Sequence, residues 1–255
     1  PWHEQAAARW RALDPYGHPV TTHWSGTYRT VNRQVAALPG IDLLTIDAYQ
    51  GAGAPLAELL HRSCLDPRHG LHQLGKPVLC TEYGVNWNGG PRAQLLAETM
   101  SAPFAGLVGG HAGAPMCWWY EALDQEGWFG GFGAIRRFLP GIDLRGGRGV
   151  VLAVEGPEPG RVAAAAWIKP GDLVGYAIDR AWGAAGGAAA ECAGVRLVVA
   201  DAVRAGAMAI TWYDADRGEP LRRERLDHAG GRLVLACPAW RRHIAVRAVR
   251  VGAGP

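Results

Sequence analysis

The 255 residues hold no apolar run approaching the ~20 positions that a membrane-spanning helix needs, so no membrane span is expected. No run of like charges stands out either. Lys and Arg (26) exceed Asp and Glu (23) by three, a balance that offers no electrostatic footprint for nucleic acid. Cysteine is sparse and odd in number. Its five copies, Cys64, Cys80, Cys117, Cys192 and Cys237, form no C-x-x-C and lack a His at ligand spacing, so they read as small buried hydrophobes. Absence of G-x-S-x-G removes the strand-to-helix serine of an esterase. The His residues lack the ligand spacing of a hydrolytic metal centre, and no metal or other cofactor is expected. The chain opens at Pro1 with no Met and no positively charged apolar leader; the expectation is that processing or truncation removed what preceded it.

What is present is an apolar chain rich in tryptophan. Hydrophobic residues make up 49%, enough for a sizeable core, and the eleven Trp offer flat apolar faces that suit ring-shaped ligands as well as packing. From residue 1 to about 144, helix and strand patterns alternate. "WHEQAAARWRAL" reads as a helix, "HPVTTH" as a strand, "YRTVNRQVAAL" as a helix, "IDLLTIDAY" as a strand and "APLAELLHR" as a helix. "KPVLCTEY" is the third strand, "RAQLLAETMSAPFAGLV" the third crossover helix, "APMCWWYEA" a fourth strand and "GAIRRFL" a last helix. Apolar strands separated by amphipathic helices predict a parallel sheet covered by helices.

Beyond Gly149 the pattern changes to six short strand-like runs, from "RVAAAAWIKP" to "HIAVRAVRV", divided by Gly, Pro and Asp turns. An antiparallel sandwich is expected there, with "WGAAGGAAAECAG" (182–194) as an exposed loop. Trp182, Trp212 and Trp240 read as core residues of that sandwich.

Ligands of parallel sheets gather at the carboxyl ends of the strands. Glu82 stands at such an end, in "GKPVLCTEYGVNWNGG", and strand alternation predicts that Val78, Cys80 and Glu82 share one face. Tyr49 ends the preceding strand and can donate to the Glu82 carboxylate. Trp118 and Trp119 end the following one as an aromatic wall. A carboxylate between a phenol and indoles suits sugar cleavage, in which an anomeric carbon meets a nucleophile and a pyranose face meets an aromatic. Asn86 and Trp87 in the next loop, His23 and Trp24 at the first strand, and Asp47 are candidate substrate-binding residues. Glu121, Asp124 and Glu126 read as solvated loop acids.

"LDPYGHPVTTHWSG", "IDLLTIDAYQ", "GKPVLCTEYGVNW" and "APMCWWYEALDQEGWFGGFGAIRRFLPGIDL", in this order, resemble the second half of a clan A glycoside hydrolase barrel of the family 5-like, cellulase-like bacterial kind. The resemblance implies an α/β fold: strands 5 to 8 of a (β/α)8 TIM barrel over residues 1–148, then a small antiparallel β-sandwich over 149–255. It implies that Glu82 is the nucleophile of a retaining enzyme acting on β-linked glycans, that Tyr49 orients it, and that Trp118, ahead of Trp119, floors the sugar site. The strand 6 motif of the family is His-x-Tyr; here Asp47 stands where the His would be. The family's acid/base is the Glu of an Asn-Glu pair, and no Asn-Glu occurs in this sequence. The chain is therefore expected to carry the nucleophile without the acid, to be inactive alone, and to take a polysaccharide or oligosaccharide. By resemblance it is secreted or periplasmic. The rival class is a non-catalytic carbohydrate-binding or structural protein derived from such a barrel.

Overall fold

Every residue of β2 (Leu44–Ala48) is buried, because this strand lies in the middle of a three-stranded parallel sheet ordered β1-β2-β3. The computed structural model describes residues 2–251, without the side chains of 201–203. The edge strands are the two-residue β1 (His23–Trp24) and β3 (Val78–Tyr83). Parallel strands need crossovers, and helices supply them: α2 (Arg33–Ala36) between β1 and β2, and α3 (Leu56–Leu65) between β2 and β3. Both early segments are shorter than their patterns predict. Residues 18–22 do not extend β1, because the Asp42 carboxylate accepts from Val20 N at 2.6 Å and ties them into a loop. Helix α2 starts late because the Asn32 side chain caps it, accepting from Gln34 N and Val35 N at 3.1 and 3.2 Å.

The expected fourth strand is a correction. Its backbone runs beside β3, with Met116 N donating to Cys80 O (3.1 Å), Tyr83 N to Met116 O (2.8 Å) and Trp118 N to Tyr83 O (2.8 Å), yet it forms only an isolated parallel bridge, Tyr83 to Cys117. Pro115 has no N–H to give, and from Tyr120 the chain turns into α5 (Tyr120–Glu126).

Helix α4 (Arg92–Gly109) organises the molecule. It is buried on nearly all sides because the parallel sheet and α3 cover one flank while an antiparallel sheet covers the other. Phe104 stacks on Tyr176 of that sheet with centroids 5.7 Å apart. Pro103 inside the helix cannot donate to the Thr99 carbonyl, and there the next helix comes close: a Cβ on Gly131 of α6 (Gly130–Phe138) would lie 2.4 Å from that oxygen.

Among the described residues, nine strands follow residue 147: β4 (Arg148–Val151), β5 (Ala153–Glu155), β6 (Val162–Ile168), β7 (Asp172–Asp179), β8 (Arg196–Val203), β9 (Gly206–Asp214), β10 (Glu219–His228), β11 (Gly231–Ala236) and β12 (His243–Arg250). They build a six-stranded antiparallel sheet, β10-β9-β12-β7-β6-β4, and a three-stranded one, β11-β8-β5. The larger sheet is covered on both faces. Ala163, Ala165, Tyr176 and Ile178 meet the helices, while Ala164, Ala166, Ala177, Ile210, Trp212 and Val246 meet the smaller sheet. That is why β6 reads as an unbroken Val-Ala-Ala-Ala-Ala run, and small side chains let α4 come near. Trp182, Trp212 and Trp240 are buried. The tract expected as an exposed loop begins instead inside α7 (Arg180–Ala185), capped by Asp179, whose Oδ1 accepts from Trp182 N at 3.1 Å. Gly186 ends that helix at φ +69°, where a Cβ would strike the Ala93 carbonyl.

Two buried polar groups of α4 stand out. Gln94 and Glu98 are each 1% exposed; Glu98 Oε1 accepts from Gln94 Nε2 at 3.1 Å, and its Oε2 has no partner. Burial, opposed by the Gln94 bond, pushes the Glu98 carboxyl up to about 8. The folded state therefore holds this proton more tightly than the unfolded chain does. Stability is full at pH values below the unfolded carboxyl range and falls as pH rises toward 8, at about 1.4 kcal/mol per unit. Glu98→Gln keeps shape and acceptor but has no charge to bury. Urea unfolding should show this variant gaining on the parent steadily from pH 5 to pH 8; a constant difference between the two would refute the buried neutral acid.

Candidate active site

The β2–β3 pairing is not regular. Leu44, Thr45 and Ile46 pair with Val78, Leu79 and Cys80, but Asp47 pairs with Glu82, so Thr81 is an extra residue in β3. A bulge of this kind re-aims the side chains that follow it. Strand alternation alone groups Glu82 with Val78 and Cys80. The structure overturns this: Val78, Cys80 and Tyr83 lie in the core beneath the helices with Leu44, Ile46 and Ala48, while Glu82 shares the opposite face with Asp47. His23 pairs with Thr45 and so joins that face. Trp24 pairs with Ile46 and packs against the core on the other side, away from Glu82.

On this face the Tyr49 hydroxyl donates to Glu82 Oε2 at 3.0 Å. Burial, then the bond to Glu82 and its charge, raise the Tyr49 hydroxyl far above an ordinary phenol, so it remains a donor throughout the usual pH range. Asp47, 3% exposed, sits 2.7 Å from His23 Nε2 through its Oδ1. Burial holds the Asp47 carboxyl above its ordinary value; His23 pulls it down and the Glu82 charge pushes it up again. One ligand atom from each of His23, Asp47 and Glu82 lies within 4.8 Å of the other two, so these three side chains are the group here that can hold a cation.

The aromatic candidates separate. Cys117 bridges to Tyr83 and packs with the core, which turns its neighbours Met116 and Trp118 toward the Glu82 face; Trp118 is 44% exposed. Trp119 is turned away. Its indole Nε1 donates to Asn86 O at 3.1 Å, and its ring lies against Gly84, where a Cβ would come within 2.6 Å of Cδ1. Trp119 thus braces the loop after β3 rather than facing Glu82. That loop holds Asn86, partly buried, and Trp87, 71% exposed, and its Val85 carbonyl accepts from Gly51 N at 2.8 Å. Glu121, Asp124 and Glu126, expected in a loop, all lie in α5, where Glu126 is ion-paired with Arg92.

Sequence patterns offered no sign of Gln94. From α4 its Oε1 accepts from Gly53 N at 3.0 Å and its Nε2 donates to Gly51 O and Ala54 O at 3.1 and 3.2 Å, clamping the loop that follows Tyr49. Gly51 and Gly53 take φ of +87° and +82°, a conformation that glycine adopts without penalty. The assembled groups give an anchored carboxylate with one oxygen left for chemistry, beside an exposed indole, on an open face. The larger concavities, about 450 Å³ beside α1 (Trp2–Leu13) and about 440 Å³ around Arg29 and Arg68, lie elsewhere.

No protein-family model matches the chain, and no curated protein matches it. Solved structures do. A glycoside hydrolase aligns with a TM-score of 0.61 at 14% identity over 97% of this chain and 60% of its own. A glycoside hydrolase family 5 protein from Bacteroides vulgatus aligns at 0.56, with 12% identity over 97% of this chain and 59% of its own. A glycoside hydrolase family 30 subfamily 8 xylanase from Clostridium acetobutylicum aligns at 0.50, with 11% identity and coverage of 97% and 59%. The chain therefore shares the fold of these glycoside hydrolase structures, TIM-barrel-like in its α/β part, and spans about 60% of their length.

Gln94→Met keeps the volume and removes the clamp. Leaving Gly53 N–H and two carbonyls to find other partners should cost about 2–4 kcal/mol in urea unfolding and speed amide exchange at Gly53. Unchanged stability and exchange would mean that the loop after Tyr49 holds itself.

Proposed function

We propose that this chain is the nucleophile-bearing part of a retaining glycoside hydrolase acting on β-linked glycans, with residues 1–148 as strands 5 to 8 of a (β/α)8 barrel and residues 149–255 as an appended β-sandwich domain. The observation that carries the reading is the 3.0 Å bond from Tyr49 to Glu82 at the carboxyl ends of neighbouring parallel strands. A carboxylate that attacks an anomeric carbon must be aimed, and the phenol aims it by holding one oxygen. Trp118, exposed on the same face, offers its ring to the sugar, and Asn86 and Trp87 offer a hydrogen-bonding group and a second ring from the loop.

Retaining chemistry needs a second carboxyl about 5–5.5 Å from the first, able to protonate the leaving oxygen. Asp47 is near enough, but it is buried and bound to His23, so the leaving group is out of its reach. The proposal assigns the acid to a residue beyond this chain, in the whole enzyme. The same observation favours the second reading for this chain in isolation, a carbohydrate-binding piece with no turnover of its own.

In the whole enzyme, Glu82→Gln should lower kcat by several orders of magnitude with folding nearly unchanged. An activated fluoroglycoside needs no proton on its leaving group and should label Glu82, read as a mass increment on its peptide. Near-normal turnover in Glu82→Gln would end the assignment. Tyr49→Phe removes a hydrogen bond to a charged group, about 1.5–3 kcal/mol, so kcat should fall roughly 10- to 100-fold while KM moves little. Equal losses in kcat and KM would point instead to a disturbed loop.

A further inference from the structure

The His23, Asp47 and Glu82 cluster has a charge problem that the glycosidase reading does not address. Two carboxylates face each other across adjacent strands, and among the described residues no Lys or Arg lies within ion-pair distance of either. The only basic group at hand is the His23 imidazole, 2.7 Å from Asp47. A site with two anions and one imidazole, open on one side, suits a cation.

We propose that His23, Asp47 and Glu82 form a binding site for a divalent transition-metal ion such as Zn²⁺. The donor set is one nitrogen and two carboxylate oxygens, a combination used for Zn²⁺ and its neighbours rather than for the all-oxygen cations. The three residues come from three neighbouring strands, whose backbones hold them in register. Three protein ligands with the outward side free is the pattern of a reactive rather than a closed zinc site. Tyr49 supplies the outer contact: by donating to Glu82 Oε2 it orients the carboxylate and leaves Oε1 to bind the ion. Ligand atoms around Zn²⁺ lie about 3–3.5 Å apart, against separations of up to 4.8 Å here, so the triangle must tighten by roughly 1 Å. The His23 side chain is 44% exposed and free to make that move.

Binding replaces the His23 to Asp47 hydrogen bond with a coordinate bond from each residue. Nε2 gives up any proton it carries as the ion takes its place, and no redox change occurs. Because the ion then covers Glu82, metal binding and attack by Glu82 exclude each other, and a divalent ion is an inhibitor of the proposed glycosidase. Sequence spacing could not have shown this site, since its residues are separated by 24 and 35 positions and only the sheet unites them.

The test is titration of chelator-treated protein with ZnCl₂ in a calorimeter. One ion per chain should bind with a Kd below about 100 µM, and His23→Ala should weaken it at least tenfold. His18→Ala is the control, because His18 and Asp14 form a second, exposed pair 3.1 Å apart; it should leave the affinity unchanged. No saturable binding up to about 1 mM, or equal affinity in His23→Ala, would overturn the proposal. If His23→Ala fails to fold, paramagnetic line broadening by Co²⁺, which takes the same ligands as Zn²⁺, decides in the unaltered protein. Broadening centred on the carboxyl ends of β1, β2 and β3 supports the site, and broadening centred on His18 and Asp14 overturns it. None of these readouts uses hydrolysis. Fluoroglycoside labelling of Glu82 tests the glycosidase reading separately, so either can fail while the other stands.

Discussion

One extra residue in β3 decides what this molecule can do. With a regular register Glu82 would follow Cys80 into the layer beneath α3 and α4, where Leu44, Ile46 and Tyr83 leave a carboxylate no partner. The bulge at Thr81 reverses the direction of the strand end, and the Thr81 hydroxyl donates to the Ile46 carbonyl at 3.2 Å, beside the point where the register breaks. Val78, Cys80 and Tyr83 go to the core; Asp47 and Glu82 go to the open face. Tyr49, one residue beyond β2, can then reach Glu82.

The second dependence runs through α4. A helix buried on both flanks is usually apolar throughout, yet this one carries Gln94 and Glu98 into the interior. Gln94 satisfies the backbone of the loop after Tyr49, and Glu98 holds Gln94. The half-satisfied acid is unfavourable for stability, while the clamp restrains the loop that begins at Tyr49. The same helix rests on the alanines of β6 and the ring of Tyr176, so the antiparallel sheet supports the site from behind without contributing a side chain to it.

The face that carries Glu82 is unevenly furnished. Trp118 and Met116 expose apolar surface, whereas Asp47 and Glu82 concentrate negative charge with only His23 beside them. Apolar surface accepts a sugar ring; anionic surface accepts positive charge, whether the developing charge on an anomeric carbon or a metal ion. Both properties come from backbone register, since Met116 and Trp118 face this way only because Cys117 between them bridges to Tyr83.

Composition and periodicity alone made the alternation of helix and strand legible through "IDLLTIDAY", "KPVLCTEY" and the helix over Arg92–Gly109, because those runs are long, apolar and strongly patterned. They also pointed to Glu82 and to Tyr49 as its partner, because residues at the ends of parallel strands are placed by the strands themselves. They misjudged "HPVTTH", "YRTVNRQVAAL" and "APMCWWYEA", where single polar groups (Asp42, Asn32) and Pro115 cut short what propensity favoured. Only the tertiary structure decided which face Glu82 takes, that Trp118 faces it while Trp119 does not, that Gln94 clamps the loop, and that His23, Asp47 and Glu82 meet. The physical reason is the same in each case: local sequence sets which residues form a strand, but the direction a side chain points depends on its register with a neighbouring strand, and register is settled by pairing across dozens of residues rather than by any short stretch of them.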